Sequence, residues 1–256
     1  MEKIIKRKPF QGVFNIVRFN WHLYFLAIIL LVCSILFSIY AVPNTRLFFK
    51  ITSVLIFYSV FISLFVSYYI YDFKDFYSLK WIEFIDVENP KNIININAGF
   101  DETSAIIENK FQNGNLKVLD FYDSNFNTEI SIERARKAYP AHKNTKIVNF
   151  SKLSINDNSS DLIFLIFAAH EIRKSKDRII FLKELNRILE NNGKIILVEH
   201  LRDLPNFFAF NIGFFHFYSK KTWINDIEKA NLKIIKEQKL TFFTSLFILE
   251  KNGNPS

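Results

Sequence analysis

Cysteine and glycine are scarce in this chain, and each shortage removes a class of function. A single cysteine, Cys33, excludes a disulfide framework, a CxxC redox pair and a cysteine-rich zinc site. It sits inside an apolar run and is expected to be an inert, buried thiol. Six glycines serve 256 residues, and no two lie within four positions of each other. A GxGxxG dinucleotide fingerprint, a GxxxxGKS/T phosphate loop and a GxSxG nucleophile elbow are therefore all missing. Apolar residues, by contrast, are abundant: half of the chain is hydrophobic and 30 residues are Phe, which excludes a disordered polymer.

The net charge of +8 is unevenly placed. Lys3, Lys6, Arg7, Lys8 and Arg18 meet only Glu2 within the first 20 residues. Two long runs come next. Trp21 to Val42 holds no titratable side chain of ordinary charge except His22, and Ile51 to Tyr71 holds no acidic or basic residue. Each is long enough to cross a bilayer as a helix. A cleaved signal peptide would have a shorter apolar core, and a buried soluble hairpin would show a polar stripe that neither run has. The pattern predicts a basic arm (1–20), a transmembrane helical hairpin (21–71) turning at Pro43-Asn44-Thr45-Arg46, and a connector (72–90). The basic arm together with Lys74 and Lys80 places the termini in the cytoplasm, with the hairpin in the cytoplasmic membrane. Tyr71 to Phe84 reads YDFKDFYSLKWIEF, either an amphipathic segment near lipid headgroups or a lid packed on the next domain.

Beyond the connector, short β-rich runs alternate with helical patterns. Strands are expected at Ile93–Asn97, Leu116–Tyr122, Lys146–Phe150, Leu162–Ala168 and Lys194–Glu199, with helices at Ser104–Phe111, Glu129–Tyr139 and Ser175–Leu189. Asn191-Asn192-Gly193 reads as the cap closing the last of these helices. Leu232–Leu240 and Thr241–Glu250 complete the pattern as two strands. Alternation of this kind implies an α/β fold with a parallel sheet.

The run NSSDLIFLIFAAHEIRKSKDRIIFLKELNRILENNGKIILVEH, Asn158 to His200, contains an acidic strand, a His-Glu strand end, an ELxRxL helix and a strand ending in Glu. On these residues the stretch Asn92 to Glu250 resembles a class I S-adenosylmethionine (SAM) dependent methyltransferase domain of the small, ubiquinone-methyltransferase-like type. The resemblance implies a Rossmann-like seven-stranded sheet with its last strand antiparallel, filling residues 91–252. It also implies SAM as cofactor, with ligands at the carboxyl ends of the strands.

The first loop departs from the family's glycine-rich pattern. Asn95-Ile96-Asn97-Ala98-Gly99-Phe100-Asp101 keeps only Gly99. Asn97 is expected to replace a glycine in the left-handed region, and Asp101 to cap the next helix. Asp101 and Glu102 would repel a pyrophosphate but suit the cationic groups of SAM. Asn95, Asn97, Gly99 and Asp101 are thus the first cofactor-binding candidates. The resemblance adds an acidic residue ending the second strand for the ribose hydroxyls: Asp123, or Asp120 if the strand stops earlier. It places Asn149 and Phe150 near the adenine. His170 and Glu171, with His200 after the fifth strand, line the expected active site, His170 as base or substrate-positioning group. Methyl transfer itself needs no metal, and no HExxH-like spacing calls for one.

Leu204 to Trp223, LPNFFAFNIGFFHFYSKKTW, lies where the resemblance implies a substrate-recognition insert. Its six Phe suggest an apolar surface meeting the membrane and admitting a lipid-like acceptor. Basic residues form no stripe on the domain, so nucleic acid is not an expected partner. The combined expectation is a membrane-anchored SAM-dependent methyltransferase acting on a lipid-soluble or membrane-bound acceptor, with membrane lipids as partners. The alternative is a non-catalytic membrane-anchored interaction protein on a degenerate methyltransferase fold.

Overall fold

The computed structural model describes residues 7–85, 87, 89–123 and 130–253. Lys3 and Lys6 of the basic arm, and Glu129 at an expected helix start, lie outside them. Three helices precede the sheet: α1 (Gln11–Phe19), α2 (Trp21–Tyr40) and α3 (Pro43–Tyr68). Helices α2 and α3 are long and apolar enough to cross a membrane, and only 6% of each apolar window is buried. They pair side by side, with Ser34 Oγ donating to Phe49 O at 2.9 Å and Ser53 Oγ to Ser34 Oγ at 3.1 Å, the small-polar seam of apolar helix pairs. Cys33 is exposed on α2 rather than buried, because the apolar run turns its bulk outward instead of into a core. The turn is also tighter than expected. Pro43 begins α3, where its fixed φ and missing N–H cost nothing, and only Ala41 and Val42 link the two helices.

The arm contains a helix the charge pattern does not announce. Asp72, in the π-helical turn Tyr69–Phe73 that ends α3, accepts the N–H groups of Gly12 and Val13 at 2.9 and 3.0 Å and so caps α1. Gly12 is needed there, since a Cβ would lie 2.4 Å from Tyr71 Cβ.

The remaining elements are β1 (Asn92–Asn97), α4 (Ser104–Lys110), β2 (Asn115–Asp120), α5 (Ile130–Ala138), β3 (Thr145–Ile147), β4 (Ser160–Ile166), α6 (Ser175–Ile188), β5 (Leu189–Glu199), α7 (Leu204–Phe210), α8 (Lys220–Lys229), β6 (Leu232–Lys239) and β7 (Ser245–Lys251). The strands form one sheet in the order β3-β2-β1-β4-β5-β7-β6, with β7 antiparallel to both neighbours and the first five strands parallel. This is the expected seven-stranded arrangement.

Alternation along the strands divides the core into two layers. Ile163, Leu165, Ile195 and Leu197 pack with Phe181, Leu185 and Trp223 on one face. Leu162, Phe164, Ile196 and Val198 pack on the other with Ile107 and with Phe76, Leu79, Trp81 and Ile82. Of the two readings of the connector, the packed one is therefore observed: its aromatic and aliphatic residues cover a sheet face. Asn191–Gly193 is no helix cap. Helix α6 stops at Ile188, Leu189 is already extended, and the three residues lie within β5, whose register with β4 shifts between Ser160 and Leu162. Gly193 meets a close approach instead, as a Cβ would sit 2.8 Å from both Leu189 Cδ1 and Ser160 O.

Candidate active site

The strand order reverses between β1 and β4, so a crevice opens beyond their carboxyl ends. The β1–α4 loop forms one wall. Asn97 is the last residue of β1 and does not take a left-handed φ; its Oδ1 instead accepts the Gly99 N–H at 3.1 Å. The glycine-replacing role expected of Asn97 is thus corrected: Gly99 alone takes the positive φ, +98°. Asp101 Oδ1 accepts the N–H groups of Thr103 and Ser104 at 3.0 and 2.9 Å, the anticipated cap of α4. Asn95 is buried within β1, and its Nδ2 donates to Thr103 Oγ1 and Ser104 Oγ, tying the helix start to the strand. Glu102 collects the arm and the connector: Oε1 accepts from Arg7 at 2.8 Å and Asn15 at 3.1 Å, and Oε2 from Tyr77 OH at 2.8 Å.

Strand β2 stops at Asp120, so Asp120 and not Asp123 occupies the strand end. Asp120 is buried, accepting the Tyr122 N–H at 2.9 Å and Arg136 at 2.5 Å, whereas Asp123 is exposed beyond the strand end. Asn149 is exposed and its Oδ1 accepts from Ser151, while Phe150 packs partly against the core.

The second wall carries a charged cluster. His170 and Glu171 sit in a single 3-10 turn after β4. The fully buried Glu199 at the end of β5 bonds His170 Nδ1 at 2.6 Å and accepts the His170 backbone N–H at 3.2 Å. Glu171 Oε1 stands 3.2 Å from His170 Nε2 and 3.1 Å from His216 Nε2. Burial alone would lower the His170 pKa, but the Glu199 and Glu171 carboxylates reverse this and raise it to about 10. With both ring nitrogens engaged by carboxylates, protonated His170 has no lone pair with which to act as a base, so positioning is the role this geometry favours. Burial would likewise raise Glu171, yet the two imidazoles hold it well below the usual carboxylate range. His216 belongs to the aromatic insert, and no local spacing pairs it with Glu171, which lies 45 residues away.

His200 has a different environment. Its ring stacks on Phe167 at 4.7 Å, Nδ1–H donates to Phe243 O at 2.9 Å, and Tyr71 OH lies 3.1 Å from Nε2. Burial pushes its pKa down to about 4, which the His170 charge reinforces. In the unfolded chain the imidazole takes a proton below its ordinary 6.5, but in the folded chain only below about 4. Stability is therefore lost as pH falls through that window, by at most about 3 kcal/mol. His170 does not oppose this, since its raised pKa supplies stability that is complete below 6.5 and lost only as pH rises towards about 10. The variant His200→Gln is expected to flatten the dependence of melting temperature on pH between 6.5 and 4; a slope equal to wild type would contradict the assignment.

Between these walls lies a cavity of ≈ 630 Å³, lined on one side by Asn15, Phe19 and Leu23 of the arm and α2, and on the other by His170, Glu171 and His200. A smaller one of ≈ 130 Å³, lined by Asn97, Phe100 and Thr103, shares Glu102, Phe167 and Glu171 with it. A groove of ≈ 670 Å³ lies at the amino ends of the strands, near Lys91 and Asn192; it holds none of these histidines and faces away from the switch point.

Residues 105–197 match the methyltransferase domain family, a stretch that begins inside α4 and so leaves out the glycine-poor loop. No curated protein matches the chain. Among solved structures, a chain of the Haloferax volcanii complex between a methyltransferase activator and its methyltransferase is 14% identical, with a TM-score of 0.52 over 73% of this chain and 93% of that one. A SAM-dependent methyltransferase from Aquifex aeolicus is 17% identical, with a TM-score of 0.46 over 67% and 88%. Another from Methanosarcina mazei is 17% identical, with a TM-score of 0.48 over 66% and 96%.

Proposed function

We propose that this chain, which carries a class I SAM-dependent methyltransferase domain, methylates a lipid-soluble or membrane-bound acceptor while anchored in the cytoplasmic membrane by α2 and α3. The observation that carries the proposal is the shared cavity: the arm and the start of the first apolar helix build one wall, and the strand-end residues build the other. An acceptor leaving the bilayer beside α2 would enter without crossing water, and tethering raises the enzyme's effective concentration towards molecules confined there. Helix α7 supports the same orientation. Its Ala209 packs on Val66 of α3 and on Ile70 of the turn that follows, and it leaves Leu204, Phe208 and the nearby Phe215 at 73%, 55% and 66% exposure, as an interfacial helix would.

The loop residues fit SAM. Asn97 Nδ2 and Asp101 Oδ2 are buried without a protein partner, a donor for the carboxylate and an acceptor for the ammonium of the methionyl group. Gly99 gives the backbone its approach, Asp120 at the strand end is the candidate for the ribose hydroxyls, and Asn149 and Phe150 are the adenine candidates that the resemblance implies. When bound, SAM supplies a methyl group on a positively charged sulfur that departs as a neutral thioether. Glu171 and Glu199 favour positive charge beside the reacting centre, and His170 and His216 orient the acceptor. The test is methyl-labelled SAM given to the full chain in nanodiscs made with native membrane lipid. Label is expected in the organic extract; label confined to protein or water-soluble products would overturn the acceptor class.

A further inference from the structure

Two short turns bring three ligand-capable side chains together on the cavity wall. His170 and Glu171 are neighbours after β4, and His216 ends the 3-10 segment Asn211–His216 between α7 and α8. Glu171 Oε1 lies 3.2 Å from His170 Nε2 and 3.1 Å from His216 Nε2, and the three ligand atoms fall within 4.8 Å of one another. A metal ion about 2.0–2.2 Å from imidazole nitrogen and carboxylate oxygen spaces its ligand atoms by roughly 3–3.5 Å, so both separations suit edges of one coordination sphere.

The second observation lies behind the ring. Glu199, at 0% exposure, holds His170 Nδ1 at 2.6 Å and its backbone N–H at 3.2 Å. Glu199 takes the Nδ1–H, so the Nε2 proton that faces Glu171 is the one a metal ion would displace, freeing the Nε2 lone pair as the ligand. An outer carboxylate does this for ligating histidines, and it also raises their basicity. Structural salt bridging alone does not require a wholly buried carboxylate behind an imidazole that already faces another carboxylate.

We propose that His170, Glu171 and His216 bind one divalent first-row transition-metal ion, with its remaining coordination positions open to the cavity. Two imidazoles and a carboxylate are a donor set for zinc, iron(II) or manganese rather than calcium. Arg173 is the group that opposes it. Its Nη2 lies 2.6 Å from His216 Nε2, the proposed ligand atom, and its Nη1 donates to the His216 carbonyl at 3.0 Å. The side chain is exposed, so it can swing aside as the ion enters. The use of the ion rests on the methyltransferase reading: it would take an acceptor hydroxyl oxygen as a ligand and lower its pKa, the proton passing to water and the oxygen taking the sulfonium methyl as the thioether leaves, which narrows the acceptor to a phenol or enol.

The experiment is zinc titration calorimetry on the detergent-solubilised full chain after chelator treatment, with SAM binding measured on every sample. Wild type is expected to bind one zinc per chain. Glu171→Gln and His216→Ala should each lose at least tenfold in zinc affinity, and Glu199→Gln roughly 10–100-fold. Arg173→Ala should bind zinc as tightly as wild type or more so. Unchanged SAM affinity in His216→Ala shows that the variant is folded. A wild type that binds SAM but shows no saturable zinc binding would overturn the metal site and leave the methyltransferase reading standing. Zinc binding without SAM binding would do the reverse, and zinc affinity unchanged in both Glu171→Gln and His216→Ala would also overturn the site.

Discussion

Replacing Glu199 by alanine is expected to lower the melting temperature of the metal-free chain by on the order of 10 °C. Glu199 is wholly buried and bonds both the ring and the backbone N–H of His170. Removing it leaves a buried imidazolium facing one carboxylate instead of two and a backbone donor with no acceptor. Breaking a buried ion pair from one side costs about 3–5 kcal/mol, and a domain of this size loses roughly 2–4 °C per kcal/mol. Glu199→Gln keeps one of the two oxygens that accept from His170 and is expected to cost less than half as much. Circular dichroism melts of the three proteins in one detergent check this. Equal melting temperatures would show that the pair contributes nothing to folding.

Substituting valine for Gly99 is expected to weaken SAM binding by more than about 100-fold while the domain stays folded. The backbone there has φ +98°, a region that costs a residue with a Cβ roughly 1–2 kcal/mol. An added Cβ would also lie 2.8 Å from the Tyr122 ring and 3.0 Å from Ile132 Cγ2. The loop must move, and it carries the unpartnered Asn97 Nδ2 and Asp101 Oδ2 with it. A backbone shift of about 1 Å is enough to forfeit this much in a positioned site. Because Tyr122 and Ile132 lie at the crevice rather than in the sheet core, the melting temperature should fall by only a few degrees. Calorimetry with SAM separates the two effects, and a near-normal affinity would place the cofactor elsewhere.

The parts of the fold legible in the sequence are those fixed by local pattern. The Ile-rich β1, the Ile- and Leu-rich runs of β4 and β5, and the two uncharged runs are signals of composition and length that no distant contact needs to supply. Local pattern fails where distant groups decide. Asn191-Asn192-Gly193 looks like a helix cap, but pairing of the flanking Leu189 with Ser160 and Lys194 with Leu162 draws it into β5. Helix α1 lies in what reads as a charged arm, because Asp72, 60 residues away from Gly12, completes its cap. The site divides in the same way. His170 and Glu171 stand out as a strand-end pair, and Gly99 as the sole glycine of its loop. His216 and the Glu102 junction with Arg7, Asn15 and Tyr77 come from segments far apart in the chain, and only the folded chain brings them to one cavity.

The most direct measurement compares wild type with Ile16→Trp, both in nanodiscs of native lipid with methyl-labelled SAM. Ile16 lines the cavity from the arm, and an indole there would fill the space left for an acceptor. The predicted result is a tenfold or greater fall in label entering the organic extract, with SAM affinity unchanged. Undiminished lipid labelling by a variant that binds SAM normally would contradict entry of the acceptor through this cavity.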